Sequence, residues 1–417
     1  MKKIIQQAFF QLRNQPLLSV ITVLGTALAI ALIMVILIVY QAKTADYAPE
    51  VNRSRSLYVK WERTVYDKKD PNSAGHSRPS LWLVKEIFYP LTTPEAVTAT
   101  YEGGEVLVGT VGSDEEMNTP LMLTDAAFWK VYQFRFLAGK PFTEADFQSG
   151  MKQAVIAKSV ARRLFGGAEN AIGKDILVNF AAYTVCGVVD DVNRFCEFTW
   201  SEVYAPYTSN AIASEAEAGQ TSGNNVITIL ARSTDDFDAI RNEVARGVAQ
   251  INTTLGDMEL QLMGQPDNFR MQLNRKFANQ YENLNANFWK YGIMILIILL
   301  VPAINLSGLT NTRMRRRLEE LGIRKAFGAT RNELVWQVLN ENLVLTVMGG
   351  LLGLALAYLF LWLMSDWLLQ TVWGATATMN ASMVSPVIFL IAFGFCLILN
   401  MFSAYVPAWR VAHTPIV

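Results

Sequence analysis

Few residues in this chain could do chemistry, and their spacing limits what they can do. The two histidines, His76 and His413, lie far apart, one in a polar stretch and one near the C-terminal end. Two such residues do not supply the ligand set that a zinc site needs, so no metal site is expected. Asp190 and Asp191 follow the β-branched run YTVCGVV. They could form a carboxylate pair, but adjacent aspartates after a strand more often make a turn. The nearest approach to a phosphate-binding loop is GGAENAIGKD. Five residues rather than four separate Gly167 from Gly173, and Asp175 follows Lys174 where a magnesium-ligating Ser or Thr belongs. That segment reads as a turn. There is no nucleophile elbow and no zinc-protease helix, so no catalytic residue and no directly bound cofactor is expected. Cys186, Cys196 and Cys396 are too few for a disulfide scaffold. Cys186 and Cys196 share one polar domain and could pair, although cysteines so close in a strand-rich stretch are more often free thiols.

The elements that would carry these residues are set by composition. Of 417 residues, 52% are hydrophobic and 17% charged, too apolar for an ordinary soluble globule and too charged to lie wholly in lipid. Lysine plus arginine balances aspartate plus glutamate at 36 each, which leaves no basic footprint for nucleic acid. Crossing ~30 Å of hydrocarbon at ~1.5 Å per residue takes about 20 apolar residues. Four windows qualify: 14–42, 291–312, 342–365 and about 385–406. The first is too long for the apolar core of a signal peptide, and no small-residue cleavage pattern follows at 41–45; it reads as an uncleaved anchor. Ahead of it, Ile4, Ile5, Ala8, Phe9 and Leu12 share one helical face, as in a helix lying in the membrane surface before Pro16. The windows hold no central charge, against an ion-coupled transporter with a carboxylate relay.

Orientation follows from the short loops. Arg313, Arg315, Arg316, Arg317, Arg324, Lys325 and Arg331 crowd the connection between the second and third windows, whereas the next connection carries only Asp366. The positive-inside rule places the arginine-rich loop in the cytoplasm, together with both termini. The expected fold is an α-helical membrane protein with four transmembrane helices, plus a large mixed α+β extracytoplasmic domain inserted between helices 1 and 2. Its divisions are an interfacial helix over 1–15, spans over 16–42, 291–312, 338–365 and 385–406, and the extracytoplasmic domain over 43–272. A stalk helix over 273–290, a cytoplasmic region over 313–337, an outer loop over 366–384 and a tail over 407–417 complete it.

Within the extracytoplasmic domain, GEVLVGTV, QAVIA, YTVCGVV and NVITILA read as strands. In STDDFDAIRNEVARGVAQI, Ser233 and Asp236 resemble a capping box, and Phe237, Ile240, Val244 and Val248 recur on one helical face. Strand, helix and strand follow one another around 153–189 and again around 225–262. DKKDPNSAGHSRPS, 67–80, reads as an exposed loop.

The most informative stretch is RRRLEELGIRKAFGATRNELVWQVLNENLVLTVMGGLLGLALAY, 315–358. It begins as a charged amphipathic helix, breaks at 328–330, and restarts as the third span, with Thr330 and Glu333 as a helix start. Gly349, Gly353 and Ala357 fall four apart, a small-residue stripe that lets two helices approach closely. A positive-inside loop followed by an ordinary packed helix would account for these residues equally well.

The run EELGIRKAFGATRNELVWQVLNENLVLTVMGGLLG resembles the FtsX-like permease signature of the MacB, LolC/LolE and FtsX group of ABC transporters. The terminal SAYVPAWRVAHTPIV, with Pro407, Ala408, Ala412 and Pro415, looks like that family's closing element. FRFLAGKPFTEADF, AVIAKSVARRLFGG, AIGKDILV and YTVCGVVDDV are similar, in wording and order, to the MacB-type periplasmic core domain. MacB carries its ATPase on the same polypeptide before the first span, unlike this sequence, and FtsX has a much smaller extracytoplasmic domain.

The resemblance implies a permease subunit, in the cell inner membrane with its large domain periplasmic, that couples to an ABC ATPase on another chain. ATP and magnesium would then act through that partner. ATPase coupling would fall to Arg315, Glu319, Glu320, Gly322, Arg324, Lys325, Gly328, Ala329 and Thr330. Dimerising ATPases would draw the cytoplasmic helices together, and the spans would pass the movement to the periplasmic domains, a process called mechanotransmission. The implied partners are the ATPase, a second permease in a homodimer or heterodimer, membrane lipids and, for an exporter, a periplasmic adaptor and outer-membrane channel; nucleic acid is not among them. The leading expectation is export of periplasmic or lipid-anchored cargo. The alternative is a regulatory membrane protein of the same family that activates a periplasmic partner without transport, and a membrane-anchored enzyme ranks last.

Overall fold

The computed structural model describes residues 16–110, 112, 115–279 and 330–368, with 289, 292–293, 323, 327–328 and separate positions between 387 and 409. The chain divides into two compact units, one of Met1–Lys43 with Asn285–Val417 and the other of Thr44–Leu284. Helix α1 (Pro16–Thr44) belongs mainly to the first. It is built from Leu, Ile, Val, Ala and Met with a single internal glycine, Gly25. At ~1.5 Å per residue its 29 residues exceed the ~30 Å of a bilayer's hydrocarbon.

The Thr44–Leu284 unit contains β1 (Ser56–Val59), β2 (Glu62–Val65), β3 (Ala74–Pro79), β4 (Ala96–Gly109), β5 (Glu116–Thr124) and β6 (Phe136–Gly139). There follow β7 (Gln153–Ala157), α2 (Lys158–Phe165), β8 (Asp175–Val178), β9 (Ala181–Val189) and β10 (Val203–Pro206). The last elements are β11 (Ser222–Gly223), β12 (Asn225–Leu230), α3 (Phe237–Asn252), β13 (Glu259–Gln261), β14 (Asp267–Asn268) and α4 (Phe269–Asn274).

Ten strands form one sheet in the order β14-β1-β12-β4-β5-β10-β7-β9-β6, with β8 bridging β4 and β9. That bridge closes β4, β5, β10, β7, β9 and β8 into a ring, while β12, β1 and β14 extend from β4 as an open sheet. Strand β4 serves both parts. Its first half pairs with β12 and its last residues pair with β8. The change falls at a bulge between Glu102 and Gly104, where Gly104 takes φ +72°, a conformation that glycine adopts without steric cost.

Strand periodicity divides the core. Alternate residues of β12 point to opposite faces. Ile227 and Ile229 join Ile240 and Val244 of α3 in one buried cluster, and Val226 and Leu230 join Tyr58, Phe128 and Phe269 in another. All of β12 is therefore buried, as its unbroken apolar run requires. A separate four-stranded sheet, β11-β3-β2-β13, flanks this core.

The four strand segments singled out in the sequence fall in β4, β7, β9 and β12. The Ser233–Asp236 capping box forms, opening as a single turn of 3-10 helix before α3. The two strand–helix–strand orders have different outcomes: β7 and β9 pair in parallel around α2, whereas α3 leads from β12 to β13 in the other sheet. One expectation is corrected. Only the first half of 67–80 is exposed loop, because residues 74–77 pair with β2, and Arg78, which is buried, and Pro79 pair with β11. Of the stalk helix expected from about Leu273 to Lys290, residues 275–279 are not helical, Trp289 is helical, and the other residues from 280 onward lie outside the described residues. Ahead of them α4 ends at Asn274, where Arg275 turns extended and its side chain is drawn to buried Asp267. Asp190 and Asp191 do end a strand: Asp191 Oδ1 accepts the Ser159 N–H at 2.9 Å at the start of α2, and Asp190 faces Lys158 at 3.6 Å and Arg135 at 3.8 Å. Cys186 and Cys196 are free thiols, and burial pushes Cys186 up to about 12.

In the other unit, α5 (Arg331–Leu368) is described over 38 residues. Two stretches have the length and composition to cross a membrane, Val23–Gln41 in α1 and Leu343–Leu363 in α5. Of these stretches, 39% and 33% are buried within the protein. Of the second expected span only Gly292 and Ile293 lie among the described residues, and the described positions of the fourth, Phe389 and Phe393 among them, are helical.

Candidate functional site

The seam between α1 and α5 is built by small residues. A Cβ on Gly349 would lie 2.8 Å from Thr26 Cβ and 3.2 Å from the Val23 carbonyl oxygen. On Gly353 it would lie 2.7 Å from the Ala27 carbonyl oxygen and 2.9 Å from Ile30 Cβ. Ala357, the third member of the stripe, is fully buried in a cluster with Ile30, Ala31, Met34 and Ile38. The two backbones therefore approach closely at Gly349 and Gly353, where a larger side chain would clash. Gly350, one residue off the stripe, faces the ring of Phe393 in the same way. Dispersion contacts of this kind supply helix association where lipid removes the hydrophobic drive. Away from the seam, Val20, Ile21, Leu24, Leu28 and Leu32 of α1 are exposed and apolar.

The approach to α5 is a break followed by a capped start. Gly328 has φ +93°, outside the range of ordinary L-residues. Two residues on, the Thr330 N–H donates to Glu333 Oε2 at 2.9 Å and the Glu333 N–H faces Thr330 Oγ1 at 3.4 Å. This reciprocal box holds the Glu333 carboxyl below its ordinary range. Just before the break, Ile323 and Phe327 are 60% and 89% exposed, and the Phe327 N–H donates to the Ile323 carbonyl at 3.1 Å. Of the residues that the resemblance assigned to coupling, Gly328 and Thr330 are described and flank this break. Arg315, Glu319, Glu320, Gly322, Arg324, Lys325 and Ala329 lie outside the described residues.

Several contributors were not singled out in the sequence. Thr26 and Ala27 are the other half of the seam, signalled only by the local small-residue run Gly25–Thr26–Ala27. Ile323 and Phe327 are spaced four apart, but an amphipathic helix spends such residues on a core, so their exposure is a tertiary fact. In the Thr44–Leu284 unit, Glu50, Arg53, Asp267 and Arg275 form buried ion pairs. Nothing in their local sequence separates them from surface charges. Burial pushes the carboxyls of Glu50 and Asp267 up, and the arginine beside each opposes it. No group of three or more His, Cys, Asp or Glu side chains placed to hold a metal occurs among the described residues.

Two helices of membrane-spanning length and composition pack through glycine, and a strand-rich domain is inserted in the chain after the first. The MacB-like periplasmic core domain model matches residues 19–246, and the FtsX-like permease C-terminal model matches residues 292–416. The chain belongs to the MacB-like periplasmic core domain family, joined to an FtsX-like permease segment, and is a permease component of an ABC transporter of this type. It is 23% identical to an uncharacterized ABC transporter permease, YknZ, of Bacillus subtilis, over 82% of this chain and 81% of that protein. It is 25% identical to the macrolide export ATP-binding/permease protein MacB of Wolinella succinogenes over 84% of this chain, yet spans 52% of that relative's length. Among solved structures, the periplasmic region of MacB from Actinobacillus actinomycetemcomitans matches 52% of this chain and 94% of that chain, at 14% identity and a TM-score of 0.36.

Proposed function

We propose that this chain passes movement generated by an ABC ATPase to its periplasmic domain, acting on periplasmic or lipid-anchored cargo for export. ATP and magnesium are bound by the ATPase, carried on a partner polypeptide. The permease works as a dimer of like or related chains. The observation that carries this reading is the α1–α5 seam. Glycines at 349 and 353 bring the backbones into contact, so axial movement of α5 is not lost in rotating side chains. Helix α1 then continues covalently into the Thr44–Leu284 unit.

The capped break at 328–330 supports a docking point at the head of α5. Exposed Ile323 and Phe327 offer an apolar anchor pair beside it, and Glu320, Arg324 and Lys325 would supply the polar rim. A periplasmic adaptor and an outer-membrane channel complete the exporter. The relative named for macrolide export is an ATP-binding/permease protein; export is the activity carried over here, not its cargo.

Capture of the tagged, detergent-solubilised protein from its native membrane tests the reading. An ABC ATPase is expected with the wild type, and its loss is expected when Glu320, Arg324 and Gly328 are substituted. Well-folded protein that brings down no ATPase would overturn the reading and favour a stand-alone regulatory receptor.

A further inference from the structure

Two buried arginines of the Thr44–Leu284 unit sit where its chain enters and leaves. Arg53 is 1% exposed and follows closely on α1. Its Nε donates to Glu50 Oε2 at 2.8 Å, its Nη1 to the Ala45 carbonyl at 2.7 Å and its Nη2 to the Phe195 carbonyl at 2.8 Å. Glu50 Oε1 in turn accepts the Phe198 N–H and the Thr199 hydroxyl, each at 3.0 Å. Ala45, the first residue after α1, is thereby tied to a loop far away in sequence. Burial opposes the charge on Arg53, and Glu50, Tyr47 and Cys196 beside it together outweigh that effect.

Arg275 does the same on the way out. It grips Asp267 through both carboxylate oxygens, donates through Nη1 to the Ala278 carbonyl at 3.0 Å and through Nη2 to the Met263 carbonyl at 3.1 Å. The two grips share one foundation. Asp267 pairs with Tyr58 between β14 and β1, and Phe269, at the start of α4, lies with its ring centre 4.7 Å from the Arg53 guanidinium. Tyr58 stacks on Phe198 at 4.3 Å, closing the circuit back to the Arg53 loop.

A buried ion pair contributes little net stability compared with apolar residues of equal volume. It contributes direction: a planar fork with fixed donors holds several chain segments at set angles, which a greasy contact does not. We propose that these two arginine clasps are the fastenings through which movement of the membrane helices reaches the β-sheet unit. They stop 45–53 and 275–278 from acting as slack linkers. The source of the movement rests on the permease reading above; the fastening itself does not.

The test is hydrogen exchange on the full-length chain in lipid nanodiscs, with Arg53→Lys and Arg275→Lys beside the wild type. Lysine keeps a charge for the carboxylate but cannot fork. Without ATP, amides in 45–53 or 275–278 are expected to exchange about tenfold faster or more in the corresponding variant, while β12 stays protected. With the co-purified ATPase, ATP and magnesium, wild type is expected to show an ATP-dependent change in exchange across the Thr44–Leu284 unit. The variants hydrolyse ATP at the wild-type rate but lack that change. Unchanged protection of 45–53 and 275–278, or full transmission in both variants, overturns the proposal. If β12 also loses protection in Arg53→Lys, the volume-filling neutral pair Glu50→Gln/Arg53→Met makes the same comparison. Absence of any ATPase from the wild-type preparation overturns the permease reading instead, and exchange without ATP still decides the fastening.

Discussion

At Gly353 the backbone of α5 comes so close to the Ala27 carbonyl that even one methyl group would lie 2.7 Å from its oxygen. Because that neighbour is backbone, it cannot rotate away. Gly353→Leu is expected to cost about 1–3 kcal/mol or more through overpacking, seen as a lower melting temperature of the detergent-solubilised protein. Gly25→Ala is the control: it has open space and should stabilise α1 by about 0.4–1 kcal/mol through reduced unfolded-state entropy. A second residue-scale prediction concerns Glu62, fully buried and hydrogen-bonded only by hydroxyls, from Ser77 at 2.5 Å, Thr64 at 2.6 Å and Ser222 at 3.2 Å. Burial raises its carboxyl above the ordinary value of 4.5. A raised folded-state value means that the folded state holds its proton longer than the unfolded chain. The stability from this group is thus fully present below about pH 4.5 and is lost as pH rises through the folded value. Chemical denaturation between about pH 5 and about pH 8 should find Glu62→Gln gaining on wild type as pH rises. A constant difference would show that Glu62 keeps its charge without cost.

At the scale of the element, the head of α5 combines a chain break and a cap. Thr330→Ala removes one half of the reciprocal box and is expected to cost about 1 kcal/mol, confined to faster amide exchange in the first turn after Arg331. Thr330→Ser should restore protection, since the hydroxyl is what accepts. Ile323→Asp places a charge on the exposed apolar pair and should abolish ATPase capture while leaving the melting temperature of the solubilised protein unchanged. Capture at the wild-type level would place the docking point elsewhere. The stripe at 349, 353 and 357 was legible in the sequence as a close-packing face, because spacing of four on a helix is independent of the partner. Its partner was not legible. Thr26 and Ala27 read as ordinary members of an apolar run until the fold sets them against α5.

For the whole molecule, both core clusters of the β-sheet unit are completed by residues between Leu57 and Phe269. Among the described residues, neither cluster includes a residue of α1 or α5. Residues 44–284 expressed alone should therefore fold and melt cooperatively, as followed by circular dichroism and calorimetry. A non-cooperative melt would mean that the membrane helices supply part of its stability. Within this unit, the closed ring of six strands was not foreseeable. Alternation and β-branched runs indicate that a segment is a strand, but pairing of β8 with β4 joins residues far apart in sequence, and no local pattern encodes it.

What the sequence determined by itself is what depends on short-range chemistry: apolar runs long enough to cross a bilayer, the Ser233 and Thr330 helix starts, the strand segments, the small-residue stripe, and the absence of a phosphate loop in GGAENAIGKD. Each follows from the period of a helix or strand, or from the needs of a ligand, and none depends on distant residues. Tertiary structure decided the rest. It took Ala74–Pro79 out of an expected loop into a sheet, where β3 pairs with β2 and Ser77 donates to buried Glu62. It ended α4 at Asn274, because Arg275 gains a buried carboxylate and two carbonyls by leaving the helix. A charged residue reads the same in sequence whether its partner is water or a buried counter-charge, and only the folded chain brings that counter-charge into place.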